Sequence, residues 1–262
     1  MAAIAESMPL EPQKDDRGFF LGGAIAMALT IAAGFSINIV TGRSSFASPP
    51  VVHAHALVFM SWVAIYLAQN VLARQGNMAL HRRLGWLATG WVVLMVIMGC
   101  VITAYDIRAG HVPFFFQPLQ FLVFDPLSVF AFAGLTWSAV ALRKQTDWHR
   151  RLHFCAMALM VGPGMGRILP MPLLAPWAWE ITFAACLIFP LAGIIADLRR
   201  TGRVHLAWGV GLAVTFGVLI GTEAITYSPV GTALYKAVAA GSPGAAIAPL
   251  DFPKPPGPPP GA

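Results

Sequence analysis

Seven runs of predominantly apolar residues, each long enough to cross a bilayer, dominate this chain and fix most of what it can become. They cover residues 19–41, 53–73, 84–105, 115–142, 152–169, 176–198 and 205–227. About 20 apolar residues in a helix span the hydrocarbon layer. Lipid offers no partner to a bare N–H or C=O, so such runs cross as helices. Composition agrees: of 262 residues, 57% are hydrophobic and only 11% charged, at a mean hydropathy of +0.69. Soluble domains carry about 25% charged residues, and a soluble fold would lack the polar surface to cover this much apolar chain. The expected fold is all-α: a polytopic membrane helix bundle of about seven transmembrane helices, with the lipid bilayer as its main partner.

The basic residues orient the bundle. Twelve of the 17 Lys and Arg fall in the N-terminus and the second, fourth and sixth connections: Lys14, Arg17, Arg74, Arg82, Arg83, Arg143, Lys144, Arg150, Arg151, Arg199, Arg200 and Arg203. Seven crossings put all four segments on one side, and positive loops stay inside. The N-terminus is therefore expected in the cytoplasm and the C-terminus in the periplasm of a bacterial inner membrane. Trp86, Trp148 and Trp208 near the inner ends, with Trp177 and Trp179 near the outer, suit interfacial belts. The net charge of +6 is thus a topology signal, and no nucleic-acid partner is expected.

Residues 1–18 read as a polar cytoplasmic N-terminus, 19–227 as the transmembrane domain and 228–262 as a periplasmic Pro/Gly-rich tail. The last ten residues, PKPPGPPPGA, are expected to be extended. The first run is too long for a secretory h-region and lacks a clear A-x-A cleavage site, so it reads as a retained anchor. His81-Arg82-Arg83-Leu84 recurs as His149-Arg150-Arg151-Leu152, each copy opening an apolar run, which suggests related hairpins at 53–105 and 115–169.

That orientation sorts the histidines into two sets. On the inner side, His149 and His153 are four apart and share a helix face, and His81 opens the third run at similar depth. Imidazoles from facing helices hold b-type haem inside a bundle, with nearby Arg available to its propionates. The competing reading is an amphipathic helix start, with arginines at the headgroups and histidines in the interface.

On the outer side lie His53, His55 and His111 with Asp106, Arg108, Asp125, Glu180, Glu223 and Arg167. Charges at that depth are costly towards lipid and are expected to face inward and pair, Asp125 with Arg167 first. His55, His53, His111, Asp125, Glu180 and Glu223 would form a nitrogen and oxygen ligand set suited to a divalent metal such as zinc. A set of ion pairs pinning kinked helices explains the same residues without a metal.

Other features read as packing. Gly162-x-x-x-Gly166 and Gly217-x-x-x-Gly221 permit close helix approach. Pro126, Pro163 and Pro190 should kink their helices. Cys100, Cys155 and Cys186 each sit inside an apolar run, as inert buried thiols do. No Walker loop, dinucleotide fingerprint, G-x-S-x-G or H-E-x-x-H occurs.

The stretch His53-Ala-His55-Ala-Leu through His81-Arg-Arg-Leu-Gly-Trp, then Trp148-His-Arg-Arg-Leu-His, resembles a family of bacterial multi-histidine membrane proteins without established activity. It is more loosely similar to the transmembrane di-haem b-type cytochromes that move electrons from ascorbate-like donors. His55 and His81 occupy places that match two of their ligands, over about residues 50–170. Segment 115–142 lacks the further histidine that would pair with the first; Asp125 stands near its place. The resemblance therefore implies one inner haem, held by His81 and His149 or His153, with a quinone or another membrane redox partner. Two other functions stay open: a membrane-embedded metal-dependent hydrolase using the outer set, and a non-catalytic receptor, transporter or assembly subunit.

Overall fold

The computed structural model describes residues 16–254, and every regular element among them is helical. The long helices are α1 (Arg17–Val40), α2 (Pro50–Gln75), α3 (Met78–Ala109), α4 (Pro118–Ala141) and α10 (Leu206–Thr226). Between α4 and α10 come α5 (Thr146–Met160), α6 (Gly162–Ile168), α7 (Met171–Leu174), α8 (Ala178–Cys186) and α9 (Ile188–Thr201). A last helix, α11 (Pro229–Ala239), precedes a 3-10 turn at Pro243–Ala246. Six stretches are long and apolar enough to cross a membrane: α1, α2, α3, α4, α8 with α9, and α10. This is the architecture of a multi-pass membrane protein.

Local chemistry sets the helix ends. Pro50 and Pro118 stand in the first turns of α2 and α4, where a missing N–H costs nothing. Gly76 closes α2 at a φ of 75°, and Asn77 accepts from the Leu80 N–H at 3.2 Å to start α3. Two residues thus turn the chain between two membrane-length helices. The His205 imidazole caps α10, its Nδ1 accepting from the Ala207 N–H at 3.1 Å.

One end of the bundle gathers the start of α1, α3, α5 and α10 and the close of α2, α4 and α9; it is called here the basic end. Trp208, Phe132, Phe154, Met27, Met95 and Met157 fill the core there and through the middle. A second core, built on Leu119, Phe124, Trp179, Phe183, Val218 and Tyr235, fills the opposite end. Leu29, Leu57, Leu87, Ile188 and Ile220 all keep more than half of their surface exposed (59–70%), around the outside of the bundle. In water these would be liabilities; against acyl chains they are solvated.

The expected fifth run is not one helix. α5 ends at Met160 and α6 restarts at Gly162, because Pro163 has no N–H to give and its ring crowds the preceding turn. α6 packs against α1, where Gly34 and Gly164 meet backbone to backbone. A Cβ on Gly34 would lie 2.2 Å from the Gly164 carbonyl oxygen, and one on Gly164 would lie 2.7 Å from the Ile31 Cα. Gly162 and Gly217 face open space, so neither expected small-residue motif makes the close approach. Pro126 sits within an unbroken α4, while α8 gives way to α9 at Leu187, three residues before Pro190.

Residues 228–254 are more than a tail. Arg108 of α3 donates through Nη1 to the carbonyls of Val238 (2.8 Å) and Ala240 (3.1 Å), closing the C-terminal end of α11. Tyr235 donates to the Gly244 carbonyl (3.1 Å), and the Leu119 N–H donates to that of Pro249 (2.8 Å). The segment folds back over the ends of α3 and α4, and Gly244 fits because a Cβ there would meet the Ile107 carbonyl oxygen at 1.9 Å. The expected extended stretch from 255 onward lies outside the described residues.

Candidate functional site

A cavity of about 500 Å³ opens at the basic end between α1, α2, α3, α4 and α5. Its walls run from Arg82 and Lys144 at the mouth down to Trp62 and Thr136. His81, His149 and His153 all line it, so the three inner histidines read from the sequence do come together. The ring centres of His149 and His153 are 4.7 Å apart, and those of His81 and His149 are 6.3 Å apart with planes crossed at 74°.

Two of these imidazoles are held in the same way. His81 donates from Nδ1 to the carbonyl of Gln69 on α2, at 3.3 Å. His149 donates from Nδ1 to the carbonyl of Ala139 on α4, at 2.8 Å. A carbonyl only accepts, so each Nδ1 carries the proton and each Nε2 keeps a free lone pair. In each case the histidine opens a helix and reaches back to the helix before it. The His-Arg-Arg-Leu repeat therefore does the same structural task twice. His153, one turn deeper than His149, faces the His149 ring and lines the cavity.

The charge of the lining is one-sided. Arg17, Arg82, Arg143, Lys144 and Arg150 contribute to it, and no Asp or Glu does among the described residues. Aromatic surface comes from Phe20, Trp62, Tyr66 and Trp86. A cavity so built suits a largely apolar molecule that carries acid groups.

Beside the cavity, and joined to its wall through Arg150, lies a buried charge network that the sequence reading missed. Asp197 of α9 accepts from Arg151 Nε (2.9 Å) and Nη2 (2.6 Å), from Arg200 Nη2 (2.6 Å) and from Trp208 Nε1 (2.8 Å). Asp16 pairs with Arg200 at 3.0 Å and also with Arg150, which in turn pairs with Asp147. Asp16, Arg151 and Asp197 are all buried. The network ties the first residue before α1 to α5, α9 and α10. Burial, followed by the Arg151 charge, holds the His205 imidazole below its ordinary pKa, so the ring stays neutral and can cap α10. Arg151, read from the sequence as available either to haem propionates or to lipid headgroups, is instead sealed inside the protein.

The outer set does not converge. His53 is exposed, with Nε2 3.2 Å from the Phe46 carbonyl. His55 lies against the Phe59 ring at 4.3 Å. His111 is exposed, 6.3 Å from the Tyr105 ring. Asp125 accepts from Thr103 at 3.4 Å, and Glu223 accepts from Gln120 at 3.0 Å. Glu180 keeps one carboxylate oxygen buried without a partner. Among the described residues, no three His, Cys, Asp or Glu side chains group so as to hold a metal ion. The physical reason is local: His53 sits in the first turn of α2, His111 lies past the end of α3, and Asp125 and Glu223 bond to neighbours on adjacent helices.

Asp125 and Arg167 are near enough for each to feel the other's charge but do not touch at ion-pair distance. The Arg167 guanidinium instead stacks 4.0 Å over the Phe35 ring and donates to the Pro163 carbonyl at 2.7 Å. All three cysteines are free, with Cys155 and Cys186 buried. Comparison of the chain with protein-family models, with curated proteins and with solved structures gave no match.

Proposed function

We propose that this protein crosses a bacterial inner membrane seven times, N-terminus inside, and carries b-type haem in the basic-end cavity as a membrane electron carrier. The observation that carries the reading is the matched anchoring of His81 and His149, each with Nδ1 on a backbone carbonyl and Nε2 left for a metal. His81 and His149, on neighbouring helices with ring centres 6.3 Å apart, would be the residues that hold the group. A cavity of about 500 Å³ suits a single macrocycle, and a lining with cations but no carboxylates suits propionates. Bound there, haem supplies a one-electron couple; the protein supplies the ligands, the counter-charge and the aromatic walls. His149 is preferred to His153 because its ring is already oriented.

A seventh crossing is supported by α5 and α6 taken together. The pair starts in the Asp197 network at the basic end and finishes with Arg167 beside Phe35, in the last two turns of α1. The likeness to multi-histidine membrane proteins and di-haem cytochromes belongs to this proposal, as does a quinone or other membrane redox partner.

The test is the visible spectrum of protein purified from haem-replete cells. The reduced form should show a Soret band with split α and β bands, lost in His81→Ala and in His149→Ala and kept in His53→Ala. A colourless wild type overturns the reading.

A further inference from the structure

We infer that the mouth of this cavity binds the phosphate of an anionic phospholipid, seated across Arg82, Arg143 and Lys144, with its acyl chains on the lipid-facing side of α3 and α4. The first support is a contrast in charge. In the network beside the cavity, Arg150, Arg151 and Arg200 are matched by Asp16, Asp147 and Asp197. At the mouth, Arg82, Arg143 and Lys144 are exposed and have no carboxylate partner among the described residues. Three adjacent cations without counter-charge form a strong local positive potential, and basic pockets between helices at a membrane face recognise anionic headgroups.

The second support is the order of residues by depth. On α3, Arg82 is followed one turn deeper by Trp86, 62% exposed, and Leu87, 59% exposed. Just past the end of α4, which packs against α3, Arg143 stands six residues from Trp137 of that helix, 43% exposed. A cation followed deeper by an exposed indole recurs at two touching helices, with the exposed Leu87 beyond it on α3, and this order matches phosphate, interface and acyl layers. The two helices are joined at this level: the Arg143 guanidinium lies 5.6 Å over the Trp86 ring, and the Trp137 indole donates to the Thr89 carbonyl at 3.5 Å. Trp86 and Arg143 belong both to the cavity wall and to the outer surface. A headgroup at this place would close the mouth from the membrane side. The inference rests on the rim cations that the haem reading also offers to propionates, so the lipid is tested with and without the histidine ligands.

The experiment uses the full chain in nanodiscs of phosphatidylglycerol or of phosphatidylcholine, with lipid phosphorus per chain measured after detergent exchange. About one phosphatidylglycerol per chain should be retained, and Arg82→Gln/Arg143→Gln should lower that retention at least about tenfold. Phosphatidylglycerol should raise the melting temperature of the wild type above its value in phosphatidylcholine, and this gain should vanish in the double variant. Lys144→Gln, a milder change, should weaken retention in the same direction. Retention unchanged in both variants, or equal melting temperatures in the two lipids, overturns the inference. Inorganic phosphate alone reproducing the gain also overturns it, since the site would then serve a soluble anion. His81→Ala, expected to lose haem, should keep the lipid, so failure of the haem reading and failure of this one give different results.

Discussion

Asp197 is surrounded by donors from three helices: Arg151 of α5, Arg200 of its own helix, and Trp208 of α10. Only 2% of its surface is exposed, so the carboxylate has exchanged water for these partners. Replacing one oxygen by an amide would turn an NH₂ towards groups that already donate and leave buried guanidinium charge without its match. Breaking a buried pair in this way costs roughly 3–5 kcal/mol. Asp197→Asn should therefore lower the melting temperature in detergent sharply, while Asp251→Asn on the exposed C-terminal segment should leave it unchanged. Equal behaviour of the two would show that the network holds nothing together. The site histidines were legible because a repeated His-Arg-Arg-Leu is a pattern. Asp197 was not, because a lone acid near the end of an apolar run gives no hint of which helices will bring cations to it. The same limit explains Arg151: its sequence neighbourhood matches that of Arg83, yet one is buried in an ion network and the other exposed.

At the scale of elements, the contact between α1 and α6 depends on two glycines that have no side chain to spare. A methyl group on Gly164 would fall 2.7 Å from the Ile31 Cα, which is backbone and cannot swing aside. Gly162 has nothing within 4 Å of the same position. Gly164→Ala should thus destabilise the protein by roughly 1–3 kcal/mol through overpacking, whereas Gly162→Ala should stay within about 0.5 kcal/mol. Thermal unfolding in detergent would decide; a larger loss at Gly162 would mean that the helices pack otherwise. Small-residue spacing located the right segment but the wrong glycine, because spacing does not say which way a helix faces after a proline break. The apolar runs placed six membrane-length stretches within a few residues, as lipid selects for length and apolarity directly. Helix α11 was not foreseen, since its amphipathic face is short and its partners, Arg108 and the ends of α3 and α4, are more than a hundred residues away.

At the scale of the whole molecule, everything that distinguishes the two ends depends on how many times the chain crosses. α1, α2, α3, α4, the stretch from Ala178 to Thr201 and α10 are each long and apolar enough to cross once. Between α4 and α8 the chain has α5 of 15 residues and α6 of seven, each too short to cross by itself. If α5 and α6 act as one kinked span, Lys144 and Pro170 lie on opposite sides of the membrane, and so do the two chain ends. If they only dip in and return, Lys144 and Pro170 share a side. Charge favours the first alternative: the basic clusters at Arg82, Arg143, Arg150 and Arg199 then face one compartment together, as the retention of positive loops demands. Reporter fusions separate the cases. A phosphatase that is active only in the periplasm should be silent when joined after Lys144, active after Pro170, and active after Lys254. Silence after Pro170 would remove the seventh crossing. Activity after Lys144 with silence after Lys254 would invert the protein and set the histidine cavity on the periplasmic side.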